Sequence, residues 1–213
     1  FDFTTGPLIR GRLVKVQPET FHFYLTLHHI IADGWSVSLL LRDLGMFYDA
    51  YARKVPPALP ELPLGYLEYS TWHNRHMQGD VLEDGIDFWM EELSGQRSLT
   101  LPQDGEAIAA GSFEGVKVPF YLSETLLESV KTVARDMDAT LYVVLLAAYK
   151  VLLTRYSNAT DIAVGTALGG RTRQEFQNLV GMLTNTLPVR TSLDDSPSLR
   201  ELVSRVRKSS LRT

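Results

Sequence analysis

The sequence has no cysteine in 213 residues. That excludes a disulfide framework, a thiol nucleophile and a thiolate metal site, and it fits a reducing compartment such as the cytoplasm. It has no uninterrupted apolar stretch of the ~18 residues a membrane span needs and no signal-peptide pattern, so no membrane partner is expected. Positive charge is not in excess: 21 Lys and Arg against 25 Asp and Glu give a formal net charge of -4 and a pI near 5.7. There is no basic field, and no aromatic-plus-basic array, to recruit nucleic acid. His73 and His76 stand three apart, but no further His or Cys completes the three or four ligands of a zinc site, so no metal is expected. An initiator Met is also missing; the chain begins Phe1-Asp2-Phe3 and reads as an internal piece of something larger.

What is present is an ordinary globular composition, 45% hydrophobic and 22% charged, long enough for one large domain or two smaller ones. The stretch His28-His29-Ile30-Ile31-Ala32-Asp33-Gly34-Trp35-Ser36 organises the rest. Ahead of it, FHFYLTLHHII alternates with the period of a strand, placing Phe21, Phe23, Leu25, Leu27 and His29 on one apolar, core-facing row. A lone histidine on such a face is ordinarily a core residue satisfied by backbone groups. Here it is followed by Asp33-Gly34, which reads as a strand-to-helix turn, and by Ser36, placed to cap the next helix. Partial desolvation at the end of the row favours the neutral, proton-accepting imidazole that a general base requires.

Taken in order, residues 8–16 read as a strand paired antiparallel with the histidine strand through Gln17-Pro18-Glu19-Thr20. From Ser36 the chain turns helical, with Val37, Leu40, Leu41, Leu44, Phe47, Tyr48 and Tyr51 as a core stripe. Its N-terminus lies beside Asp33 and Gly34, where the positive end of the helix favours developing negative charge. Four prolines between Val55 and Pro63 forbid helix and mark an extended connector. Residues 66–78 and 81–93 read as two helices, with Asp80 as a cap and Tyr66, Tyr69 and Trp72 as a packing stripe. The segment 94–115 has the texture of a long connection. Beyond it come a strand over 116–122, a helix capped by Ser123, a buried helix capped by Thr140, strands over 161–168 and 184–193, and a final helix over 198–211. Pro188 puts the last strand at an edge or bulge. Gly169-Gly170-Arg171 lacks the Gly-Lys-Ser/Thr ending of a nucleotide loop.

Four segments, in order, resemble the condensation domains of nonribosomal peptide synthetases, within the superfamily that includes chloramphenicol acetyltransferase. HHIIADGWS is similar to that family's His-His-x-x-x-Asp-Gly core, and FDFTTGPLIRGRL to the segment ahead of it. YLEYSTWHNR is similar to its Tyr-x-Asp-Tyr-x-x-Trp motif, and VGMLTNTLPVR to its Gly-x-x-x-Asn-Thr motif. The resemblance implies an α/β (α+β sandwich), chloramphenicol acetyltransferase-like two-lobed fold, here an incomplete fragment. Residues 1–95 would belong to the N-terminal lobe, 96–115 to the inter-lobe connection and 116–213 to the C-terminal lobe. A tunnel between the lobes would admit the phosphopantetheine arms of donor and acceptor peptidyl carrier proteins, beside an adenylation domain of the same megasynthase. The domain itself would bind no cofactor.

The implied reaction is attack of a carrier-bound amine on a carrier-bound thioester, forming a peptide bond in secondary-metabolite or antibiotic biosynthesis. His29 carries over as the catalytic histidine, with His28, Asp33 and Gly34 completing the motif. Asp33 carries over as a mainly structural residue salt-bridged to an arginine, and Gly34 as the backbone position near the reacting carbonyl. Trp35 and Asn185 carry over as substrate-binding positions. There are departures: Glu68 stands where the family has Asp, and Met182-Leu183-Thr184 replaces a more aromatic and aliphatic triplet. The arginine for Asp33 is expected in a segment upstream of Phe1, so Asp33 is expected to be uncompensated in this chain. The alternatives are a non-catalytic docking platform, a CoA-dependent acyltransferase and an epimerisation domain. His28 argues against heterocyclisation, which the family performs with aspartate there.

Overall fold

The computed structural model describes residues 1–105 and 115–212; part of the expected 96–115 connection therefore lies outside the described residues. Pro18 and Glu19 turn the chain between strand β1 (Ile9–Gln17) and strand β2 (Thr20–Leu27). The pair is antiparallel, with Ile9 opposite Leu27 and Leu13 opposite Phe23, as the alternation predicts. The hairpin is a sheet of its own, and its apolar row is not buried: Leu13 is 64% and Phe23 46% exposed. His29 is not part of that row. The ladder stops at Leu27, and residues 29–31 form a turn in which His29 is exposed. The backbone N–H of Ile31 donates to the carbonyl of His28 (3.1 Å), so the extended conformation cannot run on to His29.

Helix α1 (Gly34–Arg53) follows. Asp33, not Ser36, is its cap: the Asp33 carboxylate accepts from the Ser36 amide at 2.8 Å. The helix ends at Lys54, which takes a left-handed conformation and donates back to Ala50 and Tyr51. Its expected core stripe is largely uncovered among the described residues, with Leu41, Tyr48 and Tyr51 exposed and Leu39 and Ala50 buried. Helices α2 (Tyr66–His76) and α3 (Asp80–Glu92) come next; Asp80 lies inside the first turn of α3 rather than capping it. Glu68 accepts from the Gly65 amide at 3.0 Å, closing the N-terminus of α2, a use the longer carboxylate reaches.

Contacts divide the chain into two discontinuous units. The first takes residues 1–85 and 167–185, the second 86–166 and 186–213. In the first, Tyr69, Phe176, Leu179 and Leu183 form a buried cluster against Leu64 and Trp72. The stripe read on α2 is thus a packing stripe at Tyr69 and Trp72.

The second unit holds α4 (Glu124–Asp136), α5 (Leu141–Ser157), β3 (Asp161–Leu168), β4 (Asn185–Ser192) and α6 (Leu199–Arg212), apart from the ends of the two strands. Ser123 and Thr140 cap α4 and α5, accepting from the amides of Leu126 and Val143. Val144, Ala147, Ile162, Val189, Val203 and Val206 form the centre of the core. Each large aliphatic side chain so buried contributes roughly 1.5–3 kcal/mol. Among the described residues β4 pairs only with β3, in a two-stranded sheet, so Pro188 sits on an edge strand. The strand expected over 116–122 does not form. Val116, Val118, Phe120 and Tyr121 are each more than 80% exposed, and with no neighbouring strand among the described residues to supply ladder partners the backbone stays with solvent.

A charged side chain interrupts that core. Lys150 on α5 is fully buried, and its Nζ donates to the carbonyls of Ile162 (3.2 Å) and Val189 (2.7 Å) and to Thr191 Oγ1 (2.7 Å). Burial pushes its pKa down to about 8, against the opposing pull of the Asp161 carboxylate.

Candidate active site

Asp33 is the hub of the first unit. Its side chain is inaccessible to solvent, and its two oxygens receive six hydrogen bonds. Oδ1 accepts from the Ser36 amide, the Ser36 hydroxyl (2.7 Å) and Arg171 Nη2 (3.0 Å). Oδ2 accepts from Arg171 Nη1 (2.7 Å), the Leu183 amide (3.2 Å) and the Thr184 hydroxyl (3.1 Å). Burial alone would raise the carboxyl's proton affinity; the bonds from Arg171, Ser36 and Leu183 outweigh it and hold the group well below the usual carboxylate range. A carboxylate so occupied has no lone pair left for chemistry. It fastens the start of α1 to the segment 181–184.

The expected absence of an arginine for Asp33 is therefore corrected: the partner is Arg171, inside this chain. Its guanidinium also reaches Ser36 Oγ, the Leu179 carbonyl and the Gly169 carbonyl. The glycine just before it has a structural use that a phosphate-loop reading does not supply. Gly170 is left-handed, at φ +62°, and a Cβ there would lie 2.0 Å from the Leu183 carbonyl oxygen. The signal was in the sequence as Gly169-Gly170-Arg171, but only the fold shows what the arginine meets.

Ser36, also fully buried, completes the clamp from the other side. Its hydroxyl accepts from the Gly181 amide (3.0 Å) and lies 2.9 Å from the Gly181 carbonyl. Gly181 must be glycine because the ring of Tyr66 occupies the place of its Cβ, 2.2 Å away. Tyr66 in turn donates its hydroxyl to the Met182 carbonyl at 3.2 Å, so the motif on α2 and the Gly-x-x-x-Asn-Thr segment meet edge to edge.

What the clamp leaves open is the mouth of the turn. His29 is exposed between the anchored His28 and the buried Ala32-Asp33. Gly34 is the first residue of α1, and a Cβ there would meet nothing within 4 Å. The amides of Gly34 and Trp35 donate to no protein acceptor among the described residues, as expected for the first donors of a helix. Trp35 spends its indole N–H on the Gln177 carbonyl (2.9 Å), with Arg171 5.9 Å over its ring, and keeps an exposed ring face. Asn185 opens β4 at an exposed position, one residue beyond Thr184. His76 stacks on Trp72 at 5.1 Å, and among the described residues no group of three or more His, Asp or Glu side chains is placed to hold a metal ion.

A family model described as the condensation domain matches residues 1–213. A linear gramicidin synthase of Brevibacillus parabrevis is 40% identical over 212 residues, 99% of this chain and 3% of that protein. Among solved structures, the X-domain from teicoplanin biosynthesis matches with a TM-score of 0.88 at 27% identity, over 100% of this chain and 48% of that one. The X-domain has also been solved in complex with OxyB. The first condensation domain of the CDA synthetase matches with a TM-score of 0.76 over 96% of this chain and 45% of that one; at 20% identity this likeness carries the fold alone. The chain thus spans about half the length of these solved chains and a few per cent of the gramicidin synthase.

Proposed function

Since this chain belongs to the condensation-domain family and has its chloramphenicol acetyltransferase-like α/β fold, we propose that it forms part of a domain that makes amide bonds in nonribosomal peptide synthesis. In this reading residues 1–95 and 116–213 are parts of two lobes joined through 96–115, although by contacts 167–185 groups with the first unit and 86–95 with the second. The substrates are an aminoacyl group and an acyl or peptidyl group, each a thioester on the phosphopantetheine arm of a carrier protein. An adenylation domain of the same cytoplasmic synthetase loads them. The observation that carries the proposal is the Asp33 clamp, which fixes the turn and the start of α1 while leaving His29 and two helix amides open at its mouth.

The chemistry asked of these residues is modest, because a thioester is already activated. The acceptor amine attacks the donor carbonyl, a C–N bond forms, the C–S bond breaks, and the donor arm leaves as its thiol. His29 orients the amine, takes up its proton as the C–N bond forms and passes that proton to the departing sulfur. The Gly34 and Trp35 amides, at the positive end of α1, face the oxygen that becomes negative in the tetrahedral intermediate. Asp33 and Arg171 do no proton transfer and supply position. The exposed face of Trp35 and the side chain of Asn185 border the substrate.

The test is transfer between loaded carriers, followed by mass spectrometry of the carrier-bound product in the intact module. His29→Ala should reduce product formation at least a hundred-fold while carrier binding is retained. Unchanged transfer would remove the general-base assignment. Product formed only from a free acyl-CoA would favour an acyltransferase instead. A second reading has one observation behind it: the similar X-domain is solved with OxyB bound, so a chain of this fold can carry a protein partner. A docking platform without transfer activity would give no product in any arm of the assay and no response to His29→Ala.

A further inference from the structure

His28 is anchored both by its backbone and by its ring. Its backbone N–H extends the hairpin ladder to the Leu8 carbonyl at 2.9 Å, and its own carbonyl accepts from Ile31, closing a four-residue turn over 28–31. Its ring makes a second closure inside the same turn: Nδ1 accepts from the Ile30 amide at 3.1 Å. Both bonds that hold the turn therefore converge on one residue, and His29 is the first of the two central positions they enclose. A side-chain acceptor bonded to the amide two residues on is the geometry of an Asx turn, here made by an imidazole instead of an amide or carboxylate.

The ring is fixed from outside the turn as well. Phe3 and Phe1 present their rings to it edge to face, at 4.7 and 5.6 Å between centroids with interplanar angles of 82° and 87°. Those phenylalanines are themselves placed by Asp2, whose carboxylate accepts from the Thr4 amide and from the hydroxyls of Thr4 and Thr5. An imidazole that accepts at Nδ1 carries its proton on Nε2.

We propose that His28 is a positioning residue for the reaction, not a second acid or base: its Nδ1, accepting from the Ile30 amide, closes the turn that presents His29, and Phe1 and Phe3 hold its ring in place. The inference rests on the condensation reading for its functional consequence, and on geometry alone for the turn. It predicts which substitution is conservative. The side-chain oxygen of Asn lies at the same distance along the chain as Nδ1 and can accept from Ile30. Alanine has no acceptor, and glutamine would carry its oxygen to the Nε2 position instead.

The experiment compares the wild-type module with His28→Asn, His28→Gln and His28→Ala by two readouts. One is site-resolved hydrogen exchange at the Ile30 amide, which needs no activity; the other is the single-turnover rate of transfer between loaded carriers. Ile30 exchange should be accelerated at least ten-fold in the Ala and Gln variants and be largely restored in Asn. The transfer rate should follow the same order, with kcat and not the KM for carriers affected, and with Asn recovering most of what Ala loses. Two outcomes overturn the proposal: Asn as slow as Ala in transfer with Ile30 still protected, which would make the imidazole itself a participant, or Ile30 exchange that is the same in Ala as in wild type. If His29→Ala leaves transfer unchanged while the Ile30 pattern holds, the condensation reading falls separately from the turn.

Discussion

Arg171 reaches Asp33 across 138 residues of sequence and binds both of its oxygens, Nη1 to Oδ2 at 2.7 Å and Nη2 to Oδ1 at 3.0 Å. The pair is almost wholly buried; Asp33 accepts further bonds from Ser36 and Leu183, and Nη2 of Arg171 reaches the Leu179 carbonyl as well, while its Nε is buried without a partner among the described residues. Such a pair adds modestly to stability when intact but costs heavily when half of it is removed, because the surviving charge is left in a poorly solvated place. It fixes three stretches at once: the start of α1, the Gly169-Gly170-Arg171 loop and the segment 181–184.

Arg171→Met should therefore destabilise the domain by about 3–5 kcal/mol in urea unfolding near neutral pH. Arg171→Lys should recover less than half of that, since an ammonium cannot span both carboxylate oxygens. The folded carboxyl of Asp33 titrates below its unfolded counterpart, so its stabilisation is present above a pH of about 4 and is lost as the pH falls through the folded value. The gap between wild type and Arg171→Met should accordingly close on acidification. A gap independent of pH would separate the loss from the ion pair.

The elements were largely legible in the sequence because their signals are local. Alternation and a two-residue Pro18-Glu19 turn mark the hairpin, and Ser123 and Thr140 mark two helix starts. Parity misplaces His29 for a physical reason: periodicity says which residues share a face, but neither where a ladder stops nor whether anything covers the face. The same holds for Tyr48 and Tyr51 on α1 and for 116–122. Arg171 could not be assigned from sequence, since its partner is set by the return of 167–185 to the first unit. Lys150 was hidden inside a largely apolar helix, and its three acceptors explain it.

Lys150 gives the core a signature at alkaline pH. Its folded pKa of about 8 lies below the ~10.4 of an unfolded lysine, so between these values the unfolded chain holds more protons and stability rises with pH. Over that window the gain from this group amounts to about 3 kcal/mol. Other titrations overlap it, so the measurement is a difference: wild type should gain about that much relative to Lys150→Met when denaturant midpoints are compared from pH 7 to pH 10.5. Parallel curves would mean that Nζ does not change its charge in this range.

Gly181 and Tyr66 are complementary in shape, and that can be measured as a coupling. Gly181→Ala drives its Cβ to 2.2 Å from the tyrosine ring and displaces the amide and carbonyl that Ser36 holds. A loss of about 2–3 kcal/mol is expected from overpacking. Tyr66→Ala removes the ring, so the double variant should be more stable than the sum of the two single losses predicts, by about 1–2 kcal/mol. Strict additivity would place the cost of Gly181→Ala elsewhere.

Arg190, in the same motif as Asn185, is another cation of the second unit to which the sequence assigns no role. Its Nε and Nη2 bind Asp161 on β3, with Nη2 at 2.7 Å from Oδ2, while Nη1 donates to the carbonyls of Glu92 (2.6 Å) and Ser94 (2.8 Å) at the end of α3. Its own carbonyl accepts from Ser209 on α6 at 2.7 Å. One planar side chain thus closes a helix C-terminus and pairs a strand carboxylate, which a lysine cannot do with a single ammonium. Arg190→Lys should keep the pairing with Asp161 and release the helix end. Hydrogen exchange over residues 92–96 should speed up at least five-fold, with a stability loss of about 1–3 kcal/mol. Faster exchange in β3 with residues 92–96 unaffected would reverse that division of labour and assign Arg190 to the strand alone.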